Sequence, residues 1–511
     1  MPVSSRLKAL VPLVASAFVT GMLLACGAQK PRAAQVLEVT AESDSPPPKP
    51  TLEISTPWTL SSQLNSRVPA TEDELDDLEA KSPFVAATRG RVIWMDLRDP
   101  PTRALLGSVS GPLSVTIDRP DPELLKTVEE IAARYPVEVT VELAWAEALD
   151  PPPDISGLER LKHVEGLSIR LSMGTAKLPD FRRLPRLKRL DVFGPAVGQN
   201  LSQQLPTSLE ILEAVVDLPE ECIEDLAQLP QLRRLWLPLT PVRLHGLHQA
   251  TSLEELHVSV PLRVPDVVEL RGLPKLRTLV LRTDLAPAAF TELGELTSLR
   301  KLAFLLPELE FDSVEPLDRL TQLEALEVDT PSREETLMAI TQLHGLRSLD
   351  LYHAKLTRTT LEGLAALPLE ELNLMGSEFD PADASVFSRF TQLRRLVIAD
   401  TPADTRVLDA LSKLPNLRYL SAARLPLDDS AVRSLLALKH LRTLDISGTK
   451  ISPTELPRLV QLSELRTLWF DGAPSSDIIA QLVATPHLLF FSQGPAKLNC
   501  VGSDWPEACP H

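Results

Sequence analysis

An apolar frame of the form Leu-x-x-Leu-x-x-Leu-x-aliphatic returns along most of this 511-residue chain. It stands at Leu184, Leu187, Leu190 and Val192, and again at Leu229, Leu232, Leu235 and Leu237. Leu438, Leu441, Leu444 and Ile446 repeat it near the C-terminus. The third apolar position falls at residues 167, 190, 212, 235, 256, 279, 302, 326, 349, 372, 396, 420, 444, 468 and 491, so every step is 21–24 residues. In Leu-x-Leu the two apolar side chains share one face of a short strand and their neighbours point the other way. One such unit cannot bury its leucines alone, so successive units must stack on a shared core. Composition agrees: 95 leucines against 4% aromatics and 20 glycines describe an aliphatic spine without glycine-rich phosphate loops. The return segments read as short helices, with Leu361, Leu364 and Leu367 on one face and Val432, Leu435 and Leu438 on another. Asp428 or Asp429 is available to cap the second.

This pattern resembles the leucine-rich repeat family over residues 155–495, about fifteen repeats. The resemblance implies an α/β leucine-rich-repeat solenoid, with a curved parallel sheet on the concave side and short helices on the convex side. One feature departs from the family. The position that usually carries asparagine after the strand holds Ala354, Ser377, Thr401, Thr449 and Ala473. Serine and threonine can supply one hydroxyl hydrogen bond each; alanine cannot.

A repeat stack needs capped ends. At the front, 91–97, 113–117 and 137–145 read as strands and 122–134 as a helix. Residues 57–154 are therefore expected to be an N-terminal cap or divergent first repeats, with a small independent α/β domain as the alternative. Thr71 and Glu74, ahead of Leu75, have the spacing of a capping box for a short acidic helix. At the back, 496–511 forms a C-terminal cap. Cys500 and Cys509 enclose a short loop and are the expected disulfide, because Cys222 lies some twelve repeats away, roughly 60 Å at strand spacing.

Before the repeats, Arg6 and Lys8 precede an apolar run that ends at Cys26. A stretch so short reads as a signal peptide, residues 1–25. Leu23-Leu24-Ala25-Cys26 resembles the lipobox of bacterial lipoproteins, although Leu24 is bulkier than usual there. The resemblance implies lipidation of Cys26 and a membrane partner. Gly27 in place of Asp is compatible with the outer membrane of a Gram-negative bacterium. Residues 26–56, with Pro46-Pro47-Pro48-Lys49-Pro50, then form a tether.

Residues flanking each apolar pair predict the concave lining: Phe193, Arg234, Trp236, His257, Arg282, Asp329, Asp350, Tyr352, Met375, Arg395, Tyr419, Asp445, Trp469 and Asp471. Aromatic and Arg side chains exposed there would be interface anchors; alternatively the rings cover neighbouring aliphatics. Arg394, Arg418, Arg442 and Arg466 occupy one position in four successive repeats. They form a candidate column for an acidic partner such as a carboxylate-rich peptide or an anionic glycan. The same position carries Glu165, Glu210, Glu254, Glu324 and Glu370 earlier, so a solvated flank of mixed charge is the other reading.

The net charge of −17 argues against nucleic acid as a partner over the whole surface. No nucleophile elbow, phosphate loop, zinc-protease helix or Cys-x-x-Cys pair is present. His245 and His248 lack the further ligands of a metal site. The chain is expected to be non-enzymatic, to need no cofactor and to bind an unidentified macromolecule at the cell envelope. A structural envelope component or adhesin is the alternative.

Overall fold

The computed structural model describes short strands at 58–60, 67–69 and 93–96 and most of the chain from 113 to 493. Cys26, the tether, Cys500 and Cys509 lie outside the described residues. Trp58–Leu60 and Arg67–Pro69 pair antiparallel as a small ribbon of their own.

Among the described residues, eighteen further strands, from Ile93–Asp96 to Phe490–Gln493, pair parallel in chain order. Each strand bonds the next, and no pairing joins the last to the first, so the sheet is open. Its register is set by leucine. Leu167 faces Leu190, Leu190 faces Leu212, and the column continues through Leu279–Leu302 and Leu420–Leu444 to Leu468–Phe491. All fifteen expected positions lie on this one column without a slip. A shift by one residue would turn every leucine out of the core, and this holds the register.

Ahead of the regular repeats, Ile93–Asp96, Leu113–Ile117 and Val137–Leu143 extend the same sheet, with Val115 opposite Val139 and Val139 opposite Leu167. The helix Pro122–Ala132 follows the second of them. It is capped by Asp121, whose carboxylate accepts from the backbone N–H of Glu123 and Leu124. Leu125, Val128 and Ile131 on its inner face join the continuous core that runs on to Leu482.

The return segments differ along the chain. Arg358–Leu364, capped by Thr357, and Thr405–Leu411, capped by Asp404, are α-helical, with Leu361, Leu364, Val407, Leu408 and Leu411 buried. Asp428 caps a 3₁₀ turn, Asp429–Ala431, that leads into Val432–Leu435. In the first half several returns are 3₁₀ turns rather than the expected helices, among them Ser202–Gln204 and Leu247–Gln249. These belong to the shortest steps, 190 to 212 and 235 to 256. A 3₁₀ turn spans about 2.0 Å per residue against 1.5 Å for an α-helix, so it closes the loop with fewer residues. The chain folds as an α/β leucine-rich-repeat solenoid. Among the described residues no helix is long and apolar enough to cross a membrane.

The alcohol side chains at the family's asparagine position are used. Ser377 Oγ accepts from the N–H of Ala354 at 3.0 Å and donates to the carbonyl of Leu351 at 2.9 Å, joining two rungs. Thr401 and Thr449 donate only within their own turn, to the carbonyls of Ile398 and Ile446, each at 2.7 Å. The turn just before this position needs a left-handed residue. His353, Gly376, Asp400, Arg424, Gly448 and Gly472 hold it, with φ of 53°, 70°, 56°, 55°, 70° and 100°.

Candidate partner-binding face

Helices and turns cover one face of the sheet, and the residues that flank each leucine pair line the other. That open face divides into three zones along the stack.

The first zone is a polar network. Arg189 Nε lies 3.0 Å from Asp191 Oδ2, and Arg189 Nη2 lies 3.2 Å from Glu213 Oε1. Glu138 reaches towards Arg189 from two strands away, its stem crossing the bare backbone of Gly166, where a β-carbon would strike it. Its Oε1 is enclosed without a hydrogen bond among the described residues. Burial pushes the Glu138 carboxyl up to about 7; Arg189 opposes this, and the charges of Asp191 and Glu165 add to it. Further along, Arg234 Nη2 lies 2.8 Å from Glu255 Oε2, and His257 Nε2 lies 2.7 Å from Glu255 Oε1. Burial raises the Glu255 carboxyl, but the His257 hydrogen bond and the Arg234 charge outweigh it and hold it at about 2. The Trp236 ring stacks 5.5 Å from His257, and the Arg282 guanidinium lies 5.3 Å from its centre.

The second zone is acidic. Glu327 and Asp350 are register partners on adjacent strands, as are Asp329 and Tyr352. Burial and the neighbouring Glu327 charge raise the Asp350 carboxyl well above the usual range, against the pull of Lys301 and Arg395. Burial, followed by the charges of Asp350 and Glu327, raises the Tyr352 hydroxyl.

The third zone is apolar. Tyr352, Met375, Val397, Ala399 and Ala423 form a cluster of their own, separate from the leucine core, with Tyr419 packed against it.

The sheet brings Trp236 beside His257, and Tyr352 beside Met375 and Tyr419; Phe193 and Trp469 stand apart near the two ends. One expectation needs correction. Trp236, His257, Tyr352 and Met375 are 5%, 7%, 5% and 3% exposed and are not protruding anchors. Side chains one strand spacing apart, about 4.8 Å, cover one another. Phe193, Tyr419 and Trp469 are half-buried. The Arg170 guanidinium lies 5.8 Å from the Phe193 ring centre.

Arg394, Arg418, Arg442 and Arg466 lie off this face, each immediately before its strand. The N–H of each donates to the carbonyl one rung back, from Arg394 on Glu370 to Arg466 on Arg442, at 2.7–2.8 Å. His245 and His248 are exposed beside Glu269. Among the described residues no cluster has the makings of a metal site. Cys222 is a buried free thiol whose Sγ lies 3.3 Å from Ser202 Oγ. Sequence reasoning missed Glu138, Arg189 and Glu213 as a group. Their recurrence beside the leucine pair in nearby repeats was the available signal.

No protein-family model and no curated protein matches the sequence. Solved structures do. An internalin from Listeria monocytogenes is 20% identical, with a TM-score of 0.40, over 68% of this chain and 95% of its own. A leucine-rich-repeat protein of Leptospira interrogans is 19% identical, with a TM-score of 0.41, over 72% of this chain and 92% of its own. TLR13 in its complex with ssRNA13 is 17% identical, with a TM-score of 0.44, over 75% of this chain and 73% of its own. The fold stands on this chain's own unbroken column of paired leucines, which makes it a leucine-rich-repeat solenoid.

Proposed function

We propose that the protein is a non-enzymatic scaffold of the bacterial cell envelope, held to the outer membrane by lipid on Cys26, that captures a protein on the open face of its sheet. The observation that carries this reading is the apolar cluster of Tyr352, Met375, Val397, Ala399 and Ala423, lying apart from the leucine core and bordered by the half-buried Tyr419. The cluster members cover one another, so a partner would meet this part of the face through the half-buried Tyr419 and the Arg395 guanidinium over its ring. Arg395 and Asp350 at its border would add polar specificity.

A photo-crosslinker at position 419, used in intact envelopes, tests the reading. One dominant adduct, lost in a Met375→Ala/Val397→Ala variant that still folds, is the expected result. No adduct, or the same adducts from a convex-face position, would overturn it. Cys26→Ala should release the protein from membranes or leave the precursor unprocessed; unchanged fractionation would refute the anchor.

The second reading is a structural envelope component or adhesin without a discrete ligand. It is favoured by the burial of Trp236, His257, Tyr352 and Met375, which leaves less protruding surface than a ligand-binding face with exposed anchors. Under that reading crosslinks spread over many envelope proteins.

A further inference from the structure

One polar column runs along the edge of the sheet, just ahead of the strands, and changes character part-way. From Lys188, whose partner is Glu165, to Arg466 each residue's N–H donates to the carbonyl of the residue one rung back, at 2.7–2.8 Å. Up to Glu370 positive and negative residues interleave, with Arg277 and Arg300 the one pair of like-charged neighbours, and several of them pair across the rungs. Lys188 pairs with Glu165 at 3.2 Å, Arg233 with Glu254 at 2.9 Å, Arg300 with Glu324 at 2.5 Å and Arg347 with Glu370 at 2.8 Å.

After Glu370 the interleaving stops. Arg394, Arg418, Arg442 and Arg466 follow in succession. Arg394 reaches only Glu370, at 3.6 Å, a carboxylate already paired with Arg347. Arg418 reaches Glu464 at 3.4 Å, and His440 Nδ1 lies 3.0 Å from that carboxylate. Arg442 makes no close ion pair among the described residues, although its charge also acts on Glu464, and Arg466 Nη1 donates to the carbonyls of Ser463 and His487 at 3.3 and 3.4 Å. The Arg394 and Arg418 side chains are 66% and 38% exposed. In a chain of net charge −17, this run of one sign opposes the general charge of the molecule.

We infer that this arginine edge binds an acidic helix of a partner protein, one that presents a carboxylate on each turn of a single face. The geometry selects the helix. Rungs of a parallel sheet repeat about every 4.8 Å. A helix returns a side chain to one face every 5.4 Å, so over three steps it drifts from the arginines by about 2 Å, within the reach of a flexible Arg side chain. An extended strand returns a side chain only every ~6.7 Å and drifts by about 6 Å. The planar guanidinium suits paired hydrogen bonds to carboxylate. The inference is independent of the sheet-face proposal, because it concerns a different surface.

The test is fluorescence anisotropy with the full chain and three probes at low salt. The first is an Ala-rich helical peptide with one Glu per turn on a single face. The second is its isomer of equal composition with the glutamates spread round the helix, and the third is polygalacturonate. The single-face peptide should bind at least about fivefold more tightly than the isomer, and Arg418→Ala/Arg442→Ala should weaken it about tenfold. Its affinity should fall with added salt, less steeply in the double variant. Arg442→Glu, an exchange at a position outside the core, should weaken binding further while circular dichroism stays unchanged. Equal binding of the isomer, indifference to the substitutions, or preferential binding of polygalacturonate would each overturn the proposal.

Discussion

The guanidinium carbon of Arg395 lies 3.7 Å from the centre of the Tyr419 ring, its register partner on the next strand. A cation held over a π face at this distance is worth about 0.5–2 kcal/mol, more where water is excluded. The double-mutant cycle Arg395→Ala and Tyr419→Ala, read by chemical denaturation, should give a coupling energy in that range. Strict additivity would mean that the two side chains merely coincide.

Glu138 supplies a pH dependence with a definite sign. Its carboxyl ionises at about 7 in the folded chain but near 4.5 as an ordinary side chain. The folded state therefore binds more protons across that window. The stability that Glu138 contributes is complete below about pH 4.5 and is lost as pH rises through 7. The difference amounts to about 3 kcal/mol. Glu138→Gln should be more stable than the wild type at pH 8, and the advantage should vanish at pH 4. Urea midpoints at the two values check this.

His353 and Gly376 occupy the same left-handed position one repeat apart, and a β-carbon at 376 would meet His353 Cδ2 at 2.5 Å. Gly376→Ala combines that clash with a positive φ and should cost about 1–3 kcal/mol. His353→Gly should instead stabilise by roughly 0.5–1 kcal/mol, because it relieves the left-handed backbone. Opposite shifts in melting temperature would confirm the pair; shifts of the same sign would contradict it.

Ser377 joins two rungs through one buried hydroxyl, whereas Thr449 bonds only within its own turn. Ser377→Ala leaves the Ala354 N–H and the Leu351 carbonyl unsatisfied and should cost about 1–3 kcal/mol. Thr449→Val keeps the shape, forfeits one local bond and should cost about 1 kcal/mol. Measured denaturation free energies in the reverse order would show that the bridge contributes nothing.

The leucine spacing alone determined the solenoid. A side chain that recurs every 21–24 residues on a two-residue strand period has one way to be buried, so the parallel pairing and register of the fifteen repeat strands could be read from positions 167 to 491, while the three strands ahead of them that extend the same sheet could not. The column of Arg394, Arg418, Arg442 and Arg466 was legible for the same reason: register turns equal positions into neighbours. The fate of the flanking residues was decided only in three dimensions. Trp236, His257, Tyr352 and Met375 alternate away from the core as expected, yet they are covered, because long side chains on rungs about 4.8 Å apart reach across each other. Glu138 reaches towards the charge of Arg189 only because Gly166 between them has no side chain. Periodicity fixes which way a side chain leaves the backbone; its length, its neighbours' sizes and their charges determine where it ends.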